Sequence, residues 1–191
     1  MTTAMPVLET ERLTIRPFVM DDLADVHRIL DEEAKMGEHT LESRRQWLEW
    51  TVRNYDELAK MYQPPFGDRA IVLRAENRLI GSVGLVPALG PFGLLPSFQP
   101  LGNSLAPERF TCELGLFWAL GSAERGKGYA TEAARAVIHY AFEKMNMARV
   151  VATTEHENHA SQQVMRRLGM RIETNPHSEP PWFQVVGIID R

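Results

Sequence analysis

Between positions 121 and 145 the chain passes from a two-glycine turn into an unbroken amphipathic stripe, and this junction restricts the fold more than any other segment. Ala130, Ala133, Ala134, Val137, Ile138, Ala141, Phe142 and Met145 recur at steps of three and one, which predicts a helix with one apolar face. The apolar run Glu113 to Leu120 ahead of it reads as a central strand. In the turn, Gly126 and Gly128 allow positive φ and a close approach of the backbone to a ligand. The helix that follows presents unpaired N–H groups and the positive end of its dipole. Together these features form an anion cradle, to which Arg125 and Lys127 add charge, and phosphate is the obvious guest.

Three ligand classes use such a loop. Gly121 to Lys127 reads G-x-x-x-x-G-K, most of a nucleotide-triphosphate loop. Gly128 then stands where that loop needs Ser or Thr for magnesium, and the parallel βαβ framework is missing. A dinucleotide fingerprint needs glycine where Thr131 stands, and an acidic residue about twenty positions on at a strand end. The third class is the pyrophosphate of coenzyme A.

The remaining elements are shorter. Leu13 to Arg16 alternates as a strand stopped by Pro17. Asp21 or Asp22 caps a helix carrying Leu23, Val26 and Leu30, and a second helix spans about Leu41 to Leu58. Ala70 to Leu73 and Leu79 to Val86 form a hairpin around Glu76-Asn77. Pro87 to Pro107 holds five prolines and three glycines. It reads as a long insertion with Phe92, Leu94, Leu95 and Phe98 exposed, either a loose loop or a substrate lid or subunit contact. Arg149 to Thr153 is a buried strand, Asn158 to Leu168 a short helix closed by Gly169, and Trp182 to Ile189 a last strand after Pro180-Pro181. The order β-α-α-β-β-β-α-β-α-β predicts a mixed sheet with helices on its faces.

At 191 residues the chain fits one domain, 1–191, with a sizeable core. The formal net charge of −4 argues against a nucleic-acid partner. No run of about 18 apolar residues offers a membrane span, and Met1 to Leu13 has neither the basic nor the apolar region of a secretory signal. A single cysteine, Cys112, excludes an internal disulfide framework and points to the cytoplasm. Six histidines invite a metal reading. His156 and His159 lack a third ligand, so no metal is expected. Glu132, Arg135, His139, Glu143 and Lys144 read as the solvated face of the long helix.

Arg125-x-x-Gly128-x-Ala130 matches the [Q/R]-x-x-G-x-[G/A] signature of the GNAT acetyltransferases. The string R-G-K-G-Y-A-T-E-A, Arg125 to Ala133, resembles the branch containing the ribosomal-protein N-terminal (alanine/serine) acetyltransferases. A second element is similar to the same branch: Asn158-His159-Ala160-Ser161, then Val164 to Met170. Glu113-Leu114-Gly115 and Glu11-Arg12-Leu13 through Arg16 also fit. The resemblance implies an α/β (α+β) fold with a mixed, mostly antiparallel central sheet flanked by helices. It implies transfer of an acetyl group from acetyl-CoA to a primary amine by direct attack in a ternary complex. The acceptor would be a protein N-terminus, a lysine, a polyamine, an aminoglycoside or another small amine.

Residue by residue, the resemblance gives pyrophosphate binding to the backbone of Arg125, Gly126, Lys127, Gly128, Tyr129 and Ala130, with Thr131. It lays the pantetheine arm along Trp118, Ala119 and Leu120, and Asn158 bonds that arm, a role compatible with helix N-capping. Ser161 is the candidate partner of the departing thiolate, or else a first-turn serine satisfying a backbone N–H. Many relatives carry a tyrosine four residues later, where this chain has Met165. The attacking amine must be neutral, and lysine and N-terminal amines titrate near ~10.4 and ~8, so a base helps. Glu113 matches a catalytic glutamate position; its other reading is an ion-paired strand-end residue. A strand amide freed by a bulge would hold the oxyanion. Cys112 has no evident base beside it, and a buried inert thiol is the commoner case. The competing functional class is a non-catalytic acyl-CoA-binding sensor. The sequence leaves monomer and homodimer both open.

Overall fold

The structure is a computed structural model that describes residues 6–36, 39–99 and 108–191. Among the described residues, eight strands and four α-helices give the mixed, mostly antiparallel α/β class expected. The chain groups into two compact units, Met1–Leu85 with Phe117–Met145, and Val86–Leu116 with Asn146–Arg191.

In the first unit, β1 (Leu8–Glu9), β2 (Leu13–Pro17), β3 (Gly67–Leu73) and β4 (Arg78–Gly90, to Leu85 in this unit) pair antiparallel in that order. Alternation buries Leu13 and Ile15 of β2 completely. The first helix is interrupted: α1 (Leu23–His27) runs on as a π-helical turn, Arg28–Glu33. The second, α2 (Leu41–Lys60), is capped by Thr40, whose hydroxyl accepts from Ser43 N. Helical spacing turns Arg44, Leu48, Thr51 and Leu58 of α2 inward. Leu48 joins Phe18, Leu23, Val26, Ile29, Leu30, Ala70, Val72 and Leu79 in one apolar cluster. Within that layer Arg44 grips Asp31 with two parallel bonds, 2.9 and 2.5 Å, both side chains about 5% exposed or less. The third helix is α3 (Tyr129–Glu143); of its apolar stripe Ala133, Ala134, Val137, Ile138 and Ala141 are buried, and Ala130 and Phe142 half-buried.

A register shift between Ile71 and Val72 lets β4 bulge. Beside it Gly81 admits no side chain, because a Cβ there would lie 2.3 Å from the Ala119 carbonyl oxygen. That carbonyl belongs to β5 (Thr111–Leu120), so a glycine sets how near the strand runs.

In the second unit β5, through Leu116, pairs parallel with β6 (Arg149–Thr154) at Gly115 and Val151. β6 pairs antiparallel with β8 (Val185–Asp190), and β8 with β7 (Arg171–Thr174). Helix α4 (His159–Arg167) ends at Gly169, φ +80°, with Gly169 N donating to Arg166 O and Met170 N to Met165 O.

The structure corrects the reading of Pro87 to Pro107. β4 continues to Gly90, and two 3₁₀ turns follow, Phe92–Leu94 and Pro96–Phe98. Phe92 and Leu95 are fully buried and Leu94 and Phe98 partly so. Phe92 packs edge-on against Phe183, ring centroids 5.1 Å apart, in a cluster with Val151, Val186 and Ile188. Pro87 lies within β4, Pro91 follows its last residue, and the aromatics anchor the turns. Residues 100–107 lie outside the described residues. Sequence reading also missed β1 and β7, and placed the start of β8 three residues early, where a 3₁₀ turn covers Pro181–Phe183. Among the described residues no helix is long and apolar enough to cross a membrane.

A buried ion pair is costly to break singly, because one charge is left without its partner. Arg44→Ala is expected to lower unfolding free energy by about 3–5 kcal/mol, read from the urea midpoint. The double variant Arg44→Met, Asp31→Leu should recover most of that loss.

Candidate functional site

The loop of the first unit takes the conformation its glycines allow. Gly126 and Gly128 have φ of +77° and +86°, and Gly128 is the N-cap of α3. No side chain caps this helix. An ordinary Ncap serine or aspartate would occupy the first-turn N–H groups; glycine leaves them open at the positive end of a four-turn helix. A Cβ at Gly126 would meet nothing within 4 Å, and one at Gly128 only Arg12 Nη2 at 3.4 Å. Glycine is therefore required here by the left-handed backbone, not by crowding.

The loop's cations are already engaged. Arg125 donates to the carbonyls of Leu120 (3.3 Å) and Glu33 (3.1 Å), fastening the loop to the end of β5 and to the π-helical turn. Glu33 closes the same corner by accepting from Ser122 N, a bond that holds its carboxyl below the usual range, assisted by Arg28. Lys127 Nζ pairs with Glu124 at 3.0 Å, and Arg78 reaches the other Glu124 oxygen at 3.0 Å. These partners, Lys127 first, hold the Glu124 carboxyl below the usual glutamate range. The cradle is thus built mainly from main-chain N–H groups.

Two organisers of the loop were missed by sequence reading. Arg12 donates from Nη1 to Lys127 O (3.0 Å) and from Nε to Glu132 (2.7 Å), and lies 4.5 Å over the Tyr129 ring. Glu132, taken as part of a solvated face, instead accepts from Thr10 Oγ1 and Arg12 N as well. Burial raises its pKa, but the bonds from Thr10 and Arg12 outweigh this and the net direction is down. The Glu-Arg-Leu stretch near the start was the only signal. Its contact with a residue 120 positions away is invisible to local patterning. Thr131, in the first turn, is nearly buried, and its hydroxyl has no partner among the described residues.

Trp118, Ala119 and Leu120 lead into this loop on the same strand. Ala119 and Leu120 are buried and Trp118 is half-buried. The first unit therefore gathers Trp118–Leu120 and Arg125–Thr131 on one strand–turn–helix segment.

In the second unit Asn158 caps α4, its Oδ1 accepting from Ser161 N at 3.0 Å. The Ser161 main-chain donor is thereby used, while its half-buried hydroxyl has no partner among the described residues. Met165 is fully buried, and a Cβ at Gly187 would lie 3.0 Å from its sulfur. This position is core.

Glu113 is half-buried on β5. Burial raises its pKa; the Arg149 charge opposes this and Asp190 reinforces it. Arg149 spends its Nε on Asp190 at 2.7 Å and lies over the Phe98 ring. Among the described residues Glu113 makes no salt bridge, and Arg149 acts on it through its charge alone. Cys112 is exposed, not buried, with only a 3.8 Å contact from Sγ to Glu113 O. His156 and His159 are exposed, and among the described residues no three His, Cys, Asp or Glu are grouped to hold a metal.

Comparison with known proteins places this geometry. The profile of the Acetyltransferase (GNAT) domain matches residues 12–171. The chain is 29% identical over 170 residues to the uncharacterized N-acetyltransferase YnaD of Bacillus subtilis, covering 87% of this chain and 83% of that one. It is 26% identical over 162 residues to the spermidine N(1)-acetyltransferase of Escherichia coli, covering 83% and 73%. In structure it is similar to RimL, a ribosomal L7/L12 alpha-N-protein acetyltransferase solved with coenzyme A, with a TM-score of 0.65, 14% identity and 97% of each chain covered. With its loop signature, its fold and this profile in agreement, the chain belongs to the GNAT family of N-acetyltransferases.

Proposed function

We propose that the protein moves an acetyl group from acetyl-CoA directly onto a primary amine, a protein N-terminus or a small-molecule amine. The observation that carries this reading is the uncapped start of α3, with left-handed glycines before it and its neighbouring cations already paired. A diphosphate ester fits such a main-chain cradle. Acetyl-CoA would supply the thioester. Arg125 to Ala130 would hold its pyrophosphate through backbone N–H groups, with the unpartnered Thr131 hydroxyl as a further donor. Trp118, Ala119 and Leu120 would align the pantetheine arm, and Asn158 would bond it from the cap of α4.

Glu113 would take the proton from the attacking amine, a role suited to a carboxylate whose proton affinity is raised by burial. Ser161 would donate to the departing sulfur, since its hydroxyl is uncommitted. Cys112 takes no part. The profile spans segments of both compact units, which supports their working as one acetyltransferase domain over 1–191. A net charge of −4 and one exposed cysteine suit a cytoplasmic enzyme, monomer or homodimer, acting without nucleic acid or membrane. Resemblance to the ribosomal-protein branch favours a peptide α-amine; the spermidine relative keeps a polyamine in view.

Gly128→Glu puts charge and a side chain on a left-handed position in the cradle. Calorimetry should show coenzyme A affinity falling more than about 100-fold, several kcal/mol of lost charge-assisted bonding. Lys127→Ala, which removes an already paired cation, should weaken binding less than about tenfold. Unchanged affinity in Gly128→Glu would refute the placement.

The raised affinity of Glu113 for its proton sets the acid limb of activity. Only the carboxylate serves as base, so kcat/KM rises with pH through a pKa above the ordinary glutamate value of about 4.3. Glu113→Gln should remove that limb and lower kcat about 10²–10⁴-fold. A limb that persists in the variant assigns the base elsewhere.

A further inference from the structure

The first unit contains a carboxylate that neither the fold nor the proposed reaction uses. Asp68 stands second in β3, two residues before Ala70. Side chains alternate along a strand, so Asp68 shares the face of Ala70, which packs with Leu48 of α2. Cross-strand pairs share a face as well. Ser82, opposite Ala70, and Gly84, opposite Asp68, therefore belong to the same layer beneath the helices.

The polar groups of this layer are incompletely matched. Asp68 is half-buried, and its carboxylate has neither a hydrogen bond nor a salt bridge among the described residues. The Ser82 hydroxyl and the Thr51 hydroxyl of α2 are buried without partners among the described residues. The adjacent cation, Arg44, is bound on two sides to Asp31. Arg69, next in sequence, points the other way, over the Tyr140 ring of α3 at 5.0 Å. Desolvation pushes the Asp68 carboxyl up to about 6, with only the Arg44 charge pulling it down.

The main chain of Asp68 is held in place all the same. Tyr55 of α2 donates to Asp68 O at 2.5 Å and accepts from Phe18 N at 3.1 Å, and burial keeps its phenol protonated. A rigidly placed, partly accessible carboxylate in an apolar layer is destabilising unless a cation completes it. One carboxylate with hydroxyl neighbours is a poor divalent-metal donor set. It is well matched to –NH₃⁺, which brings three N–H donors on a small head.

The position also relates to the coenzyme segment. A Cβ at Gly84 would lie 2.6 Å from the Phe117 ring, so that ring covers Gly84 on the face Asp68 shares. Phe117 immediately precedes Trp118 on β5. We propose that Asp68 is the acceptor-side anchor of the enzyme, a carboxylate that binds the ammonium form of the primary-amine substrate beside β5. This rests on the acetyl-transfer reading above and names its substrate-binding residue.

The test uses the full chain, acetyl-CoA, and two acceptors, spermidine and a tetrapeptide with a free N-terminal serine. For whichever is acetylated, Asp68→Asn should raise KM for the amine at least tenfold. kcat should change less, and Kd for coenzyme A should be unchanged. Asp68→Glu, which restores the charge, should recover part of the loss. Because folding disfavours the ionised carboxylate, Asp68→Asn should keep or raise Tm at pH 7.5. Transfer by the wild type to neither amine overturns this proposal together with the acetyl-transfer reading. Transfer with an unaltered amine KM in Asp68→Asn overturns this proposal alone. So does a fall in Tm with kcat and KM both unchanged, which marks the residue as structural.

Discussion

A helix that begins on glycine leaves its first N–H groups without any local acceptor, and much of the first unit is arranged around that opening at Gly128. The left-handed residues Gly126 and Gly128 carry the chain from the 3₁₀ turn Ser122–Glu124, which follows β5, into α3. Arg125 anchors the turn to Leu120 and Glu33, and Arg12 anchors it to β2 through the Lys127 carbonyl. Each of these contacts holds backbone rather than reaching outward. The N–H groups can then be aimed by rigid neighbours, so that little conformational entropy remains to be lost when an anion arrives.

The charge arrangement follows the same economy. Lys127, Glu124 and Arg78 form a chain in which one buried carboxylate serves two cations, and Glu132 is matched by Arg12. The field at the loop therefore arises from oriented peptide dipoles more than from side chains. Such a field changes less with salt and pH than one made of mobile lysines. The hydroxyls of Ser161 and Thr131 and the carboxylates of Glu113 and Asp68, by contrast, are among the groups left without a hydrogen-bond partner among the described residues.

The helix α3, the hairpin of β3 and β4 and the cap at Asn158 were legible because each is written in local spacing: a 3.6-residue stripe, a two-residue period, an Ncap side chain. The loop's identity was legible because glycines at 126 and 128 leave few alternatives. What escaped was set by distance along the chain. The two-residue β1 carries no period of its own. The burial of Phe92 depends on Phe183, which sequence spacing does not bring near. The π-helical turn that carries Asp31 to Arg44 has no signature beyond ordinary helical residues. Prolines in 87–107 suggested a free loop, because proline excludes regular hydrogen bonding yet says nothing about whether neighbouring apolar side chains find a core.

The contact among Thr10, Arg12 and Glu132 ties the beginning of the chain to the turn where α3 starts. Positions 10, 12 and 132 are therefore expected to vary together. Exchange of the acid without its guanidinium strands a cation against the Tyr129 ring and unfastens Lys127. Related sequences that depart at one corner of this triangle should depart at another. A protease able to trim the segment before Leu13 would detach the strut beneath the turn where α3 starts while leaving every residue of the signature in place.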